Sequence, residues 1–172
     1  QLDEGGAVLL DRRPRGDGLD EPRVAAGRED GREHPGRAKI HGFAAYRSIV
    51  DVKAPVDLAI IATPIEQVPG IVQECVGAGI GGAVIISAGG KEAGEKGREI
   101  EERIQQEASV GGLRVIGPNC LGIICPGRRL NCSFSARMPQ RGKLAFISQS
   151  GAICTAILDL SPKENFGFSY FV

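Results

Sequence analysis

Tryptophan is absent from the 172 residues, which hold only two tyrosines, two histidines and one methionine. So few rings cannot build a stacking platform for nucleobases. Charge of one sign is also missing: 21 lysines and arginines balance 21 aspartates and glutamates. A balanced chain has no bulk electrostatic pull toward nucleic acid or an anionic membrane surface, and neither is expected as a partner. No apolar run is long enough to span a bilayer, and no charged stretch with an apolar core and small-residue cleavage site opens the chain. A cytoplasmic location is expected. The five cysteines, Cys75, Cys120, Cys125, Cys132 and Cys154, are odd in number and scattered through apolar stretches, which does not make a disulfide framework. Cys120 and Cys125 lack a second pair or a nearby histidine, so no metal site is expected. Buried thiols in a reducing compartment fit better.

Two nucleotide signatures are missing as well. No GxGxxG follows a first strand, and no segment has the glycine spacing and lysine of a Walker loop. The glycine-rich Gly77-Ala78-Gly79-Ile80-Gly81-Gly82 precedes a strand and reads as a helix-to-strand turn.

What is present divides unevenly. Residues 1–38 form a leader rich in arginine, glycine, aspartate and proline, in which only Ala7-Val8-Leu9-Leu10 could make a short strand. Such a composition cannot bury enough surface to offset its ordering entropy, so residues 12–37 are expected to lack a packed core. The leader reads as disordered or as non-native sequence. His34 lies inside it and His41 just beyond; neither has a carboxylate or nucleophile at a recognisable spacing, and both read as solvent-exposed.

Beyond Ile40 the pattern changes. Asp57 to Ala62 is a branched, apolar run closed by Thr63-Pro64, which suits a strand buried on both faces. A helix is expected over 65–78, with Val68, Ile71, Val72, Cys75 and Val76 on one face. A second strand over 82–87 ends in Ala88-Gly89-Gly90. A helix over 92–108 and a short strand over 113–116, closed by Gly117-Pro118-Asn119, follow. Strands alternating with helices through short links predict adjacent parallel strands, with ligands outside their carboxyl ends.

Pro126 to Gly142 reads as an irregular connection carrying Arg128, Arg129, Arg137 and Arg141. A strand over 143–148, a helix over 152–160 and a strand from Phe168 follow, and the chain then stops, as a truncated second domain would. Ser148-Gln149-Ser150-Gly151 lies between that strand and helix. Free N–H groups and a positive helix end make such a turn either an anion site or a plain helix cap.

Read in order, four segments resemble a known family: Val56 to Pro64, Ile86 to Gly89, Val115-Ile116-Gly117-Pro118-Asn119-Cys120-Leu121-Gly122, and Gly142 to Ala152. They are similar to the α subunit, or α-like half, of ADP-forming acetyl-CoA synthetase, with the succinyl-CoA synthetase α subunit a more distant relative. The resemblance implies an α/β fold: a Rossmann-like parallel sheet with helices on both faces, followed by the truncated start of a second, flavodoxin-like α/β domain. It places a coenzyme A-binding domain over 39–127 and a linker with the second domain over 128–172. It implies a ligase that interconverts acyl-CoA, ADP and phosphate with acid, CoA and ATP through a phosphohistidine. Thr63, Pro64, Ser87, Ala88 and Gly89 would line the coenzyme A site, Asn119 and Cys120 would lie near its thiol end, and Ser150 and Gly151 would bind phosphate. ATP or ADP and Mg2+ would sit on an ATP-grasp partner, either a β subunit or a fused domain, and the full-length form would be a hetero-oligomer acting on a small organic acid.

The chain departs from that family twice. The first strand and glycine loop that grip the coenzyme A phosphates do not show in residues 1–38, and neither His34 nor His41 matches the phosphorylated histidine, which is expected downstream. No catalytic residue is therefore expected in this chain, and turnover is not. Two other readings stand beside it: a non-catalytic, coenzyme A-binding regulatory module, which would not need Ser150-Gly151, and a nicotinamide-dependent dehydrogenase domain, which the missing fingerprint disfavours.

Overall fold

The computed structural model describes residues 7–11, 23–26, 39–40, 43–44, 46, 48–135 and 137–172. The chain forms two compact units, Gln1–Asn119 and Cys120–Val172.

The first unit is built on a five-stranded sheet in the order β2-β1-β5-β6-β7. Its strands are β1 (Ala7–Asp11), β2 (Arg23–Ala26), β5 (Leu58–Ile61), β6 (Gly82–Ile85) and β7 (Arg114–Ile116). β5, β6 and β7 are adjacent and parallel, as expected, with Leu58 opposite Gly82 and Gly82 opposite Arg114. β1 pairs antiparallel with β5, and β2 antiparallel with β1. A strand at Arg23–Ala26 thus falls within the segment expected to be irregular; the rest of residues 12–37, His34 included, and His41 lie outside the described residues. Two short strands, β3 (Lys39–Ile40) and β4 (Phe43–Ala44), pair with each other.

Two helices cross between the parallel strands: α1 (Val68–Gly77) after β5 and α2 (Glu95–Val110) after β6. Side chains alternate across a strand. Ala59 and Ile61 of β5, with Ala83 and Ile85 of β6, share one core with Val68, Val72 and Cys75 of α1 and Ile104 and Ala108 of α2. The chain steps in one direction across the sheet from β5 to β6 to β7, so both right-handed crossover helices cover the same face, where helices on both faces were expected. Ile60 and Val84 point the other way and are buried too, which is why these strands read as continuous apolar runs. Each fully buried valine of α1 contributes about 1.5–3 kcal/mol. Pro69 stands in the first turn of α1, where its missing N–H costs nothing.

The second unit holds a four-stranded sheet in the order β10-β11-β8-β9. β10 (Arg141–Phe146) and β11 (Phe168–Phe171) are parallel and joined by α3 (Gly151–Leu160). β11 meets β8 (Gly122–Cys125) through the Phe171–Ile124 pair, and β8 forms an antiparallel hairpin with β9 (Leu130–Ser133). The hairpin corrects the expectation of an irregular connection from Pro126. The Pro126-Gly127 turn, with Arg129 left-handed at φ 54°, reverses the chain between two four-residue strands. The core gathers Ile124, Cys154, Phe168 and Phe171 around Phe146, Phe166, Ile157 and Leu158. Phe146 stacks on Phe171 with ring centres 4.9 Å apart, and Phe168 meets Phe171 edge-on at 5.0 Å.

Candidate functional site

The carboxyl ends of β5, β6 and β7 come together through their own backbone. The Ser87 hydroxyl donates to the Thr63 carbonyl at 2.6 Å, and the Asn119 N–H donates to the Ser87 carbonyl at 2.8 Å. Thr63 and Ser87 are buried, while Pro64, Ala88 and Asn119 are exposed around them. Among the described residues, Thr63 Oγ1 is the buried side-chain oxygen that finds no hydrogen-bond partner. A buried hydroxyl left unpaired is costly, so this oxygen is a polar group suited to a bound ligand.

Gly89 is demanded by this geometry. Its φ is +109°, and a Cβ there would stand 2.8 Å from Cγ2 of Ile65. Ile65 is itself fixed in the 3-10 turn Ile65–Gln67 that Pro64 begins. The loop is held from behind as well. A Cβ on Gly97, in the first turn of α2, would overlap the Gly90 carbonyl oxygen, so only glycine lets the helix approach so closely.

The loop amides have partners that the sequence did not announce. Oε1 of Glu92 accepts from the N–H of Gly89 at 2.7 Å and of Gly90 at 3.1 Å, and Oε2 of Glu101 accepts from the N–H of Lys91 at 3.0 Å. Hydrogen bonding by the Gly89 amide, above all, holds the Glu92 carboxyl below the usual carboxylate range. The spacing from Gly89 to Glu92 is that of a capping box, and could have pointed to Glu92. Glu101, ten residues from Lys91, leaves no such local trace.

In the second unit, Ser150 caps α3: its Oγ accepts from the Ile153 N–H at 3.4 Å, and its own N–H donates to Oγ of Ser148 at 3.1 Å. Capping uses a lone pair of Ser150 Oγ and leaves its O–H able to donate. A Cβ on Gly151, the first residue of α3, would meet nothing within 4 Å. Cys120 is half-buried, and burial pushes its thiol above the usual range. The structure thus joins Thr63, Ser87 and Asn119 directly, with Pro64, Ala88 and Gly89 beside them. Cys120, Ser150 and Gly151 belong to the other unit. Among the described residues no three histidine, cysteine or acidic side chains group as a metal site, and no helix is long and apolar enough to cross a membrane.

The family model described as a CoA binding domain matches residues 34–126, and one described as a succinyl-CoA ligase-like flavodoxin domain matches residues 141–172. The chain is 42% identical over 139 residues to the ADP-forming acetate–CoA ligase I of Archaeoglobus fulgidus, covering 81% of this chain and 20% of that protein. It is 41% identical to the α subunit of the ADP-forming acetate–CoA ligase II of Pyrococcus furiosus, covering 78% and 29%. A solved acetyl-coenzyme A synthetase 1 of Candidatus Korarchaeum cryptofilum, in complex with phosphate and ADP, superposes with a TM-score of 0.75 at 38% identity, covering 80% of this chain and 29% of that one. The chain spans between a fifth and a third of the length of these relatives.

Proposed function

We propose that this chain, which belongs to the CoA-binding domain family, is the coenzyme A-binding part of an ADP-forming acyl-CoA synthetase. The single observation that carries the reading is the junction of three parallel strand ends through Ser87, Thr63 and Asn119, with the Thr63 hydroxyl buried and unpartnered. Thr63, Pro64, Ser87, Ala88 and Gly89 would receive coenzyme A. Asn119 and Cys120 would lie toward the thiol end. Two relatives of the same name class support the reaction: acid, coenzyme A and ATP exchanging with acyl-CoA, ADP and phosphate.

Ser150 and Gly151 would meet the transferring phosphoryl group. The helix start offers fixed N–H donors and a favourable dipole, which offset negative charge without reorganisation. The phosphorylated histidine would come from outside residues 1–172. ATP or ADP with Mg2+ would be held on an ATP-grasp partner, separate or fused; a relative named as an α subunit supports a separate one. We propose residues 39–127 as the coenzyme A domain, close to the family match over 34–126, although β8 at its end pairs in the sheet of the second unit, Cys120–Val172.

The test is calorimetric titration of the chain with coenzyme A and with NAD+, followed by incubation with labelled ATP with and without an ATP-grasp partner. Coenzyme A should bind, NAD+ should not, and the chain should stay unlabelled. Binding of NAD+ alone would favour a dehydrogenase domain. Base-stable, acid-labile label that disappears on changing His34 or His41 would place the phosphohistidine here and overturn the assignment.

A further inference from the structure

We infer that Glu92, backed by Glu101, is a positioning residue that holds the loop Ser87–Lys91 in the shape that receives coenzyme A; this rests on the function proposed above. Three successive amides, those of Gly89, Gly90 and Lys91, donate to carboxylates of the same chain. Consecutive N–H groups turned to one side form a concavity that suits an anion. Here the anions are the chain's own side chains, so the concavity is filled from within.

The arrangement fixes both sides of the turn. On one side the two carboxylates tie down the amides, and Gly97 brings α2 against the Gly90 carbonyl. Gly90 is buried, and a Cβ there would stand 2.9 Å from Oε2 of Glu101 and 3.0 Å from Cγ of Pro118. The other side presents the Ser87 carbonyl and hydroxyl to the neighbouring strand ends and leaves Ala88 exposed. A ligand at the strand ends therefore meets a loop whose conformation is already set, and the ordering cost of binding falls. Glu92 is itself largely exposed, so its removal takes little from the core. The Lys91 ammonium, 3.8 Å from Oε1 of Glu101, is exposed and adds little.

A contrary reading makes a prediction of opposite sign. Were Glu92 a stand-in for a ligand phosphate, its removal would free the amides and tighten binding. The experiment compares the parent chain with Glu92→Ala and Glu92→Gln. It measures amide exchange at Gly89 and Gly90, coenzyme A affinity and melting temperature. Positioning predicts faster exchange at both amides and affinity about tenfold weaker in Glu92→Ala, the scale of a lost charge-assisted hydrogen bond. Glu92→Gln, which keeps an acceptor oxygen, should stay within about threefold of the parent. Melting temperatures should stay together. Unchanged exchange, or equal or tighter binding in Glu92→Ala, would overturn the inference. Should the parent itself not bind coenzyme A, the proposed function fails, and the exchange arm alone decides whether Glu92 holds the loop.

Discussion

At Gly89 two constraints coincide, a φ of +109° and Ile65 within 2.8 Å of any Cβ. Gly89→Ala should therefore destabilise the first unit by about 2–4 kcal/mol, combining left-handed strain with overpacking; denaturant titration measures it, and a loss under half of that would show the loop can shift. Gly151 is the opposite case, with open space around it. Gly151→Val should leave the chain folded, yet strongly reduce phosphoenzyme formation in a full-length parent while coenzyme A affinity holds. Ser150→Ala removes a helix cap and should cost about 1 kcal/mol in melting experiments. Burial pushes the Cys75 thiol up to about 12 from 9.0. The folded state then keeps a proton that the unfolded state loses. Stability from this group is full below pH 9 and declines as pH rises toward about 12. Cys75→Ala should flatten that decline, and Cys75 should resist alkylation at pH 8 in the folded chain.

Elements differ in how plainly the sequence declares them. β5 and β6 were legible because both faces are buried, which leaves branched apolar runs from Leu58 and Gly82 with a turn signal at each end. α1 was legible from the spacing of Val68, Val72 and Cys75. The β8–β9 hairpin was not: Gly122-Ile123-Ile124-Cys125 has no alternation, the alternation of Leu130-Asn131-Cys132-Ser133 lasts only four residues, and only Pro126-Gly127 marks the reversal. β2 was hidden for a related reason, since Arg23-Val24-Ala25-Ala26 becomes a strand by pairing with β1 and not by propensity. The strand ends of the candidate site were visible as Thr63-Pro64, Ala88-Gly89 and Pro118-Asn119. The contacts that join them, Ser87 to Thr63 and Asn119 to Ser87, are long-range and leave no local pattern. In the second unit the β10–α3–β11 crossover depends on four phenylalanines around one point. Phe171→Ala should cost about 3–5 kcal/mol, and hydrogen exchange should rise in residues 120–172 while the amides of α1 and α2 keep their protection. Equal loss of protection in both units would show that they unfold as one.

At the scale of the whole molecule, two compact units, Gln1–Asn119 and Cys120–Val172, have separate cores; the function proposed above would give coenzyme A to the first and the transferring phosphate to the second. In that proposal coenzyme A meets the ends of β5, β6 and β7. The most direct test is amide chemical-shift mapping of the chain titrated with coenzyme A. Saturable shifts are expected at residues 63–65, 87–91 and 117–119, with the start of α3 at Gly151 unmoved. Shifts confined to the Ser148–Ile153 turn, or no saturable shift at any strand end, would contradict it.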